Sequence, residues 1–172
     1  MKTLYTIDLK NYDKNWKHSK RDSARGIIRL GQDKLALVYA KKDGYYKFPG
    51  GGINEGEDII AALAREVHEE VGLVVIPESI REYGSVLRRQ KSTVKDGEIF
   101  EQENYYYFCD VEDRVVGQDL DAYEDEAGFV LRIVNIDEAI ATNAAYSSVD
   151  YFNEIMIKRD RRMLEMVKQE LG

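Results

Sequence analysis

Three consecutive glycines, Gly50 to Gly52, stand before a segment that reads as an amphipathic helix ending at Gly72. At about 100° per residue, four aliphatic side chains of this segment fall on one stripe that would face a core: Ile60, Leu63, Val67 and Val71. The helix is expected to begin near Glu57 or Asp58, an acidic start that complements the helix dipole, and Gly72 is placed to end it in a left-handed conformation. The chain must therefore bury one side of this helix, while a loop without Cβ atoms just before it can approach a ligand closely.

The same helix carries three carboxylates, Glu66, Glu69 and Glu70, on an arc of about 100° beside the aliphatic stripe. Like charges three or four residues apart destabilise an isolated helix by roughly 0.2–0.5 kcal/mol for each pair, so helix stability does not explain why the three carboxylates are placed together. A divalent cation would turn the repulsion into coordination, although a glutamate pair on a helix is more often a solvated face. Because the arc offers oxygen ligands and neither Cys nor His, it favours Mg²⁺ or Mn²⁺ over zinc or copper.

The wider segment has charged residues and glycines at fixed spacing. It reproduces the pattern GX5EX7REUXEEXGU, where U is aliphatic, at Gly51, Glu57, Arg65, Glu66, Val67, Glu69, Glu70, Gly72 and Leu73. Seven fixed residues at fixed spacing arise by chance in on the order of one chain in a million or fewer. On this pattern the chain resembles the Nudix hydrolases.

The resemblance implies roles for individual residues. It implies that Mg²⁺ or Mn²⁺ is the cofactor and that its ligands are Gly50, through its carbonyl, Glu66, Glu69 and Glu70. It also implies that Glu57 pairs with Arg65 and that this pair orients the ligands. Glu57, Arg65, Glu66 and Glu69 then form the expected catalytic set.

The general base and the substrate contacts are less constrained by the pattern. The residue that acts as the base varies within the family. In this chain the candidates are Glu66, Glu69 or an acid in the loop before the strand at Phe129. Glu124 and Glu126 are the nearest acids in that loop, and Glu103 is a weaker candidate. Arg21 and Arg25, just before the first core strand, are candidates for holding substrate phosphates. Gly51 is a candidate for close contact with the substrate.

Composition sets the wider bounds. A chain of 172 residues with 44% hydrophobic residues fits one domain, 1–172, and its apolar runs are too short to cross a membrane. The N-terminus lacks a signal-peptide pattern and the single Cys109 cannot form an internal disulfide, so we expect a cytoplasmic protein. A net charge of −7 makes long nucleic acid an unfavourable partner, and a small-molecule nucleotide fits better.

Hydrophobic patterning predicts an α/β protein. Strands are expected at 4–9, 24–30, 34–40, 45–48, 73–76, 80–89, 98–111 and 129–136, with a loop or extended edge at 10–21. A short helix is expected from Asp137, and a last helix at about 148–171. The resemblance covers about 22–142, flanked by an N-terminal strand and loop extension and by the last helix. These elements predict a mixed β-sheet covered on both faces, the α/β/α sandwich of the Nudix fold.

Some conspicuous residues have simpler explanations. The tyrosine run at 105–107 is expected to pack in the sheet. Arg159, Arg161 and Arg162 are expected to form a solvated face, which a second subunit of a homodimer could use. Cys109 is expected to be a buried strand residue and His18 a surface residue.

The sequence thus predicts a metal-dependent hydrolase of a diphosphate linkage in a nucleoside di- or triphosphate derivative. Two rival classes stay open. A regulatory or binding module would share the fold without turnover, but such proteins typically lack glutamates of the pattern, and here all are present. An RNA-end pyrophosphohydrolase would need a basic channel beside the cleft, which the acidic net charge disfavours.

Overall fold

The computed structural model describes residues 1–172, except for the side chain of Tyr151. The strands are β1 (Thr3–Asp8), β2 (Lys17–Lys20), β3 (Ser23–Arg29), β4 (Lys34–Ala40), β5 (Tyr45–Lys47), β6 (Gly50–Gly52), β7 (Leu73–Val75), β8 (Arg81–Lys91), β9 (Glu98–Phe108), β10 (Val111–Val115) and β11 (Phe129–Asn135). The helices are α1 (Ile59–Val71), α2 (Ala122–Ala127), α3 (Ile136–Ala145) and α4 (Tyr151–Leu171).

The main sheet mixes parallel and antiparallel pairs. Its strand order is β1-β8-β9-β3-β4-β11, with β2, β5 and β6 added on β9, β4 and β3. The β1–β8, β2–β9 and β3–β9 pairs are parallel, and the remaining pairs are antiparallel. The predicted mixed sheet is therefore confirmed.

Helices cover both faces of this sheet because the central strands are apolar on both sides. In β3, Ile28 belongs to the core cluster that includes Leu63 and Val67 of α1. Its neighbour Ile27 points to the opposite face and belongs to the cluster that includes Met163 of α4. Successive side chains of a strand alternate between faces, so adjacent apolar residues imply burial on both. The predicted α/β/α sandwich is confirmed.

Three expectations about local structure were wrong. The glycines at 50–52 form β6, which pairs with β3, instead of an unpaired loop. The strand at Leu73 lies in a separate two-stranded sheet with β10 rather than in the main sheet. The expected loop before Phe129 contains α2, which starts at a cap on Asp121.

Arg159 corrects the expectation of a solvated arginine face on α4. It is 1% exposed, and its guanidinium donates to the Asp160 carboxylate and to the amide oxygen of Asn104. Burial is tolerated because these acceptors replace water. Arg161 is exposed and pairs with Glu165, as expected for a solvated face.

Among the described residues, no helix is long and apolar enough to span a membrane.

Candidate active site

Helix α1 begins and ends where local hydrogen bonding requires it. The Asp58 carboxylate accepts from the backbone N–H groups of Ile60 and Ala61, which would otherwise lack partners at a helix start. Gly72 ends the helix with φ 66°, in the predicted left-handed conformation. The predicted acidic start is present as the cap on Asp58, and Glu57 lies in the loop before the helix.

Arg65 joins this loop to the helix. Its Nε and Nη2 donate to the two carboxylate oxygens of Glu57 at 2.7 and 2.8 Å. Its Nη1 donates to Glu66 at 2.7 Å and to Glu69 at 2.9 Å, and Nη2 also donates to the Gly52 carbonyl at 3.0 Å. Hydrogen bonding from Arg65 holds the pKa of Glu57 at about 2, well below its ordinary value. One guanidinium thus fixes the rotamers of three glutamates.

We expect Arg65→Ala to lower both stability and activity. The free energy of unfolding at pH 7 should fall by about 1–2 kcal/mol, a modest value because the pair is partly exposed to solvent. Activity should fall by at least about tenfold, because the glutamates lose their orientation. Thermal melts and steady-state kinetics of the purified variant measure the two effects.

The pH dependence of this stability loss follows from the Glu57 pKa. Because folding lowers this pKa, the stabilisation is present above the ordinary pKa of a glutamate and is lost as the pH falls towards 2. The melting temperatures of wild type and variant should therefore converge in acid. Arg161→Ala is the matched control, since its partner Glu165 is exposed and should contribute little. Unchanged melts and activity in Arg65→Ala would show that Arg65 is only a surface residue.

Glu70 connects the helix to the glycine strand. It is 1% exposed, and its Oε2 accepts from the Gly50 N–H at 2.8 Å. Its Oε1 accepts from the Lys47 ammonium at 2.5 Å, and that ammonium lies 4.5 Å from the centre of the Phe129 ring. A buried carboxylate requires such compensation. These hydrogen bonds therefore hold the Glu70 carboxylate beside the backbone of β6.

Three carboxylates converge next to this backbone. Glu66, Glu70 and Glu124 each place one oxygen within 4.8 Å of one oxygen from each of the others. Burial raises the pKa of Glu66, and the charge of Glu70 adds to the effect. Opposite ligands of a magnesium ion are about 4.2 Å apart, so the spread of these oxygens is close to what Mg²⁺ or Mn²⁺ requires. The oxygen-only donor set fits a hard divalent cation.

Glu124 reaches the cluster from α2. Its N–H donates to the Asp121 carboxylate at 2.8 Å, and its own carboxylate accepts from the Asp121 N–H at 3.0 Å, which fixes the start of this short helix. Burial, with the nearby charge of Glu70, raises the pKa of Glu124 to about 7. Glu126 lies elsewhere on α2, where it is exposed and pairs with Lys42 at 2.6 Å. Of the two candidate bases on α2, Glu124 and Glu126, the structure brings Glu124 to the cluster.

The other predicted site residues lie around this centre. Glu69 pairs with Arg65, and its side chain is 31% exposed. Glu103 lies on β9. Among the described residues, neither of them belongs to the group of three carboxylates. Arg21 is exposed and lies over the glycine strand, its Nε 3.0 Å from where a Cβ of Gly52 would stand.

Arg25, a candidate phosphate ligand, is buried behind the glycine strand. Its Nη1 donates to the carbonyls of Gly50 at 3.0 Å and Phe48 at 3.4 Å, and its Nε donates to Asn104 at 3.3 Å. The Gly50 carbonyl, a candidate metal ligand, thus already accepts one hydrogen bond and keeps a second lone pair. Arg25 therefore holds the backbone at the candidate metal site.

Gly51 contacts Glu66 so closely that a side chain would not fit. A Cβ on Gly51 would lie 2.2 Å from Glu66 Oε2, and one on Gly50 would lie 2.1 Å from the Ala24 carbonyl. These glycines allow the helix carboxylates and the strand backbone to meet. Their role here is close packing within the site.

Sequence reasoning missed Lys47 and the buried group of Asn104, Arg159 and Asp160. Lys47 could have been identified from the sequence, because it is the one charged residue in the otherwise aromatic segment 45–48. Arg159 and Asp160 could also have been identified. They stand three and four residues after Met156, on the apolar stripe of the last helix that continues to Met163. Charges on an apolar stripe indicate a buried polar network.

Cys109 and His18 lie outside the site. Cys109 is buried directly after β9, and burial raises the pKa of its thiol to about 12, so the nucleophilic thiolate is scarce at neutral pH. The side chain of His18 is 51% exposed and lies near Glu101. Both observations agree with the structural roles expected for these residues.

The NUDIX domain sequence model matches residues 20–152, and the chain therefore belongs to this family. It is a Nudix hydrolase. A NUDIX hydrolase from Nitrosomonas europaea has a similar structure, with a TM-score of 0.53 and 22% identity over 82% of this chain and 89% of that one. This likeness supports the fold.

Two kinds of curated relative match parts of the sequence. An 8-oxo-dGTP diphosphatase of Buchnera aphidicola is 31% identical over 97 residues, which cover 48% of this chain and 70% of the relative. An RNA pyrophosphohydrolase of Actinobacillus pleuropneumoniae is 54% identical over 39 residues, 22% of this chain and 19% of the relative. The chain thus spans about a fifth of the length of this second relative.

Proposed function

We propose that the chain is a divalent-metal-dependent pyrophosphohydrolase that cleaves the diphosphate linkage of a nucleoside di- or triphosphate derivative. The products would be a nucleoside monophosphate and a phosphorylated remainder, or pyrophosphate from a triphosphate. The observation that carries this proposal is the convergence of Glu66, Glu70 and Glu124 beside the glycine strand. A divalent cation held there would stabilise the negative charge that develops on phosphoryl oxygens.

The metal would be Mg²⁺ or Mn²⁺, held by Glu66 and Glu70 beside Glu124, with Glu69 and the Gly50 carbonyl as the further ligands that the family pattern implies. When bound, the cation would neutralise charge on the diphosphate oxygens and make water easier to deprotonate. Side chains of the protein would position the metal ligands. Arg65 orients the glutamates, and Arg25 holds the carbonyl of Gly50.

We assign the general base to Glu124. Its carboxylate lies within the cluster. Glu66 lies there too, but Glu66 and Glu69 both accept hydrogen bonds from Arg65. It also comes from a separate helix, so it can take a proton without disturbing the carboxylates of α1. Arg21, exposed beside Gly52, is placed to meet substrate phosphates.

An RNA-end pyrophosphohydrolase is the second candidate, supported by the name of relatives that match a part of the chain. The net charge of −7 disfavours a long polyanion. We further propose one domain over 1–172, a cytoplasmic location and a small nucleotide as the partner. The exposed arginines of α4, Arg161 among them, leave a homodimer as a proposal for size measurements to test.

A substrate panel tests the proposed function. Nucleoside triphosphates, sugar nucleotides, dinucleoside polyphosphates, simple diphosphates and a 5′-triphosphorylated RNA would each be incubated with Mg²⁺, and phosphate and pyrophosphate release would be measured. We expect turnover of at least one nucleotide, its loss on chelation and its return with Mg²⁺ or Mn²⁺. Turnover that persists after exhaustive chelation would contradict the metal site, and a preference for RNA would favour the second candidate.

A further inference from the structure

A pocket of about 370 Å³ lies against the N-terminal extension, away from the candidate active site. Its basic lining residues are Lys10, Lys14, His18 and Arg89, and its acidic one is Asp8. The segment 10–21 carries five Lys or Arg residues against one acid, although the net charge of the whole chain is −7. Exposed charges are largely screened beyond about 8 Å at physiological salt, so the local excess decides which ligands this surface attracts.

The protein neutralises only part of this positive charge. Arg89 donates to Glu101 from Nε at 2.8 Å and from Nη2 at 2.7 Å. Lys10, Lys14 and Arg21 are exposed, and the part of the chain that the structure describes offers none of them a carboxylate as an ion-pair partner. Three positive charges therefore stay available to an anionic ligand.

The wall of the pocket is ordered by Asp8. Its Oδ1 accepts from the Lys10 backbone N–H at 3.0 Å and from the Tyr12 hydroxyl at 2.9 Å. Lys10 has φ 50°, a left-handed conformation that is uncommon for a residue with a side chain. Because the hydrogen bonds to Asp8 hold this turn, Lys10 stands at the pocket with a fixed backbone conformation.

The pocket lies on the same face of the main sheet as helix α1. In β9, Tyr105 and Tyr107 pack in the core cluster that includes Leu63 and Val67 of α1. Successive side chains of a strand alternate between faces, so Ile99, which lines the pocket, lies on this same face. A ligand that crosses this face can therefore reach both the pocket and the carboxylates of α1.

The path from the pocket to the active site is short. Asn104 of β9 pairs with Ser23, and Ser23 also pairs with Gly52 of the glycine strand. Ile99 precedes Asn104 by five positions in β9, which at about 3.4 Å per residue puts the pocket about 17 Å from the glycine strand. Arg21 lies at the near end of this path, over Gly52. We call Lys10, Lys14 and Arg21 the basic strip.

Two aromatic side chains lie among these charges. Tyr12 lines the pocket, and Trp16 is partly exposed, with the Lys91 ammonium 5.8 Å from its ring centre. Aromatic rings beside a positively charged groove are the combination that binds single-stranded nucleic acids, because bases stack on the rings while the charges meet the phosphates.

We propose that the basic strip and its pocket bind a single-stranded oligonucleotide whose phosphorylated end lies at the carboxylate cluster. The inference rests on the proposed function for the chemistry at that end, and it deepens the second candidate there. A stacked strand carries one phosphate per about 3.4 Å, so about five nucleotides span the path. A mononucleotide at the cluster would not reach the pocket, and an inorganic polyphosphate chain would leave the aromatic rings without a stacking partner.

Trp16 is the single tryptophan of the chain, so its fluorescence reports binding at this surface without metal and without turnover. The probes are an RNA and a DNA of one mixed sequence of about eight nucleotides, and an inorganic polyphosphate of the same charge. We expect at least one oligonucleotide to bind roughly tenfold more tightly than polyphosphate, because stacking adds to the attraction between charges. The tighter oligonucleotide identifies the natural sugar, and equal affinities for all three probes would overturn the proposal.

The length of the oligonucleotide gives a second test. Affinity should rise with each added nucleotide up to about five, where the strand spans the path, and then level off. Oligonucleotides that bind no more tightly than a mononucleotide would overturn the proposal.

Lys10 and Lys14 allow a matched set of variants, because both are exposed and line the pocket. The double variant Lys10→Gln, Lys14→Gln should weaken oligonucleotide binding at least about fivefold, and the slope of log affinity against log salt should fall by about 0.7 for each lost phosphate contact. Lys2→Gln, Lys34→Gln is the control, since it makes the same charge change at exposed lysines outside the pocket lining. Equal losses in the two double variants, or no loss in either, would overturn the proposal.

Binding and hydrolysis measured side by side distinguish this inference from the proposed function. Hydrolysis of a mononucleotide without binding of any oligonucleotide would overturn the basic strip while the hydrolase proposal stands. Oligonucleotide binding that depends on Lys10 and Lys14, with no hydrolysis of any diphosphate compound, would instead overturn the proposed function and support the strip.

Discussion

Glu70→Gln is expected to lower kcat by at least about 100-fold at saturating Mg²⁺, because it removes a ligand charge at the reacting centre. The side chain keeps its shape, and the Gly50 N–H can still donate to the amide oxygen. Lys47 loses its ionic partner and turns to solvent or to the Phe129 ring. Steady-state kinetics on the preferred substrate measure the loss.

Two further measurements make the Glu70 result interpretable. Circular dichroism and a thermal melt establish that the variant is folded, and Mn²⁺ titration followed by electron paramagnetic resonance should show weakened metal binding. Glu165→Gln is the control, since Glu165 is an exposed glutamate paired with Arg161 on α4. Near-wild-type turnover of folded Glu70→Gln would place the metal site elsewhere.

The second large effect is expected at Glu124. Glu124→Gln should lower kcat by about 100-fold or more, the usual loss when a general base is removed. Glutamine can replace glutamate in the hydrogen-bonded cap with Asp121, so α2 should stay folded. Substrate hydrolysis and the melting temperature are measured on the same preparation.

Glu126→Gln is the matched control for Glu124→Gln. Both residues lie on the six-residue helix α2, but Glu126 is exposed and pairs with Lys42. The control should keep its activity and lose little stability, because exposed ion pairs contribute about 0–1 kcal/mol. Equal losses in the two variants, or a loss only at Glu126, would refute the assignment of the base.

The helix of the site was predictable because its determinants are local. The stripe through Leu63, Val67 and Val71 is buried as expected, and Gly72 ends the helix as expected. The pairing of Glu57 with Arg65 follows from the family pattern and is present in the structure. Each of these features depends on residues close together in the chain.

The remainder of the site depends on contacts between distant segments. Lys47 and Glu124 lie beside Glu70 because the sheet and α2 bring them there, and Lys47 stands 23 positions before Glu70 in the chain. The same holds for Arg159, which meets Asn104 across 55 residues. Helix periodicity could place Arg159 on the buried stripe, but it could not identify the acceptor that makes its burial tolerable.

Hydrolysis of the preferred nucleotide in ¹⁸O-labelled water tests the central claim most directly. Glu66, Glu70 and Glu124 converge on one cluster, and no carboxylate pair among the described residues has been identified that would flank a sugar carbon. Water should therefore attack phosphorus. Mass spectrometry should find the label in a phosphate product alone; label in a sugar hydroxyl would contradict the account even though the fold is that of a Nudix hydrolase.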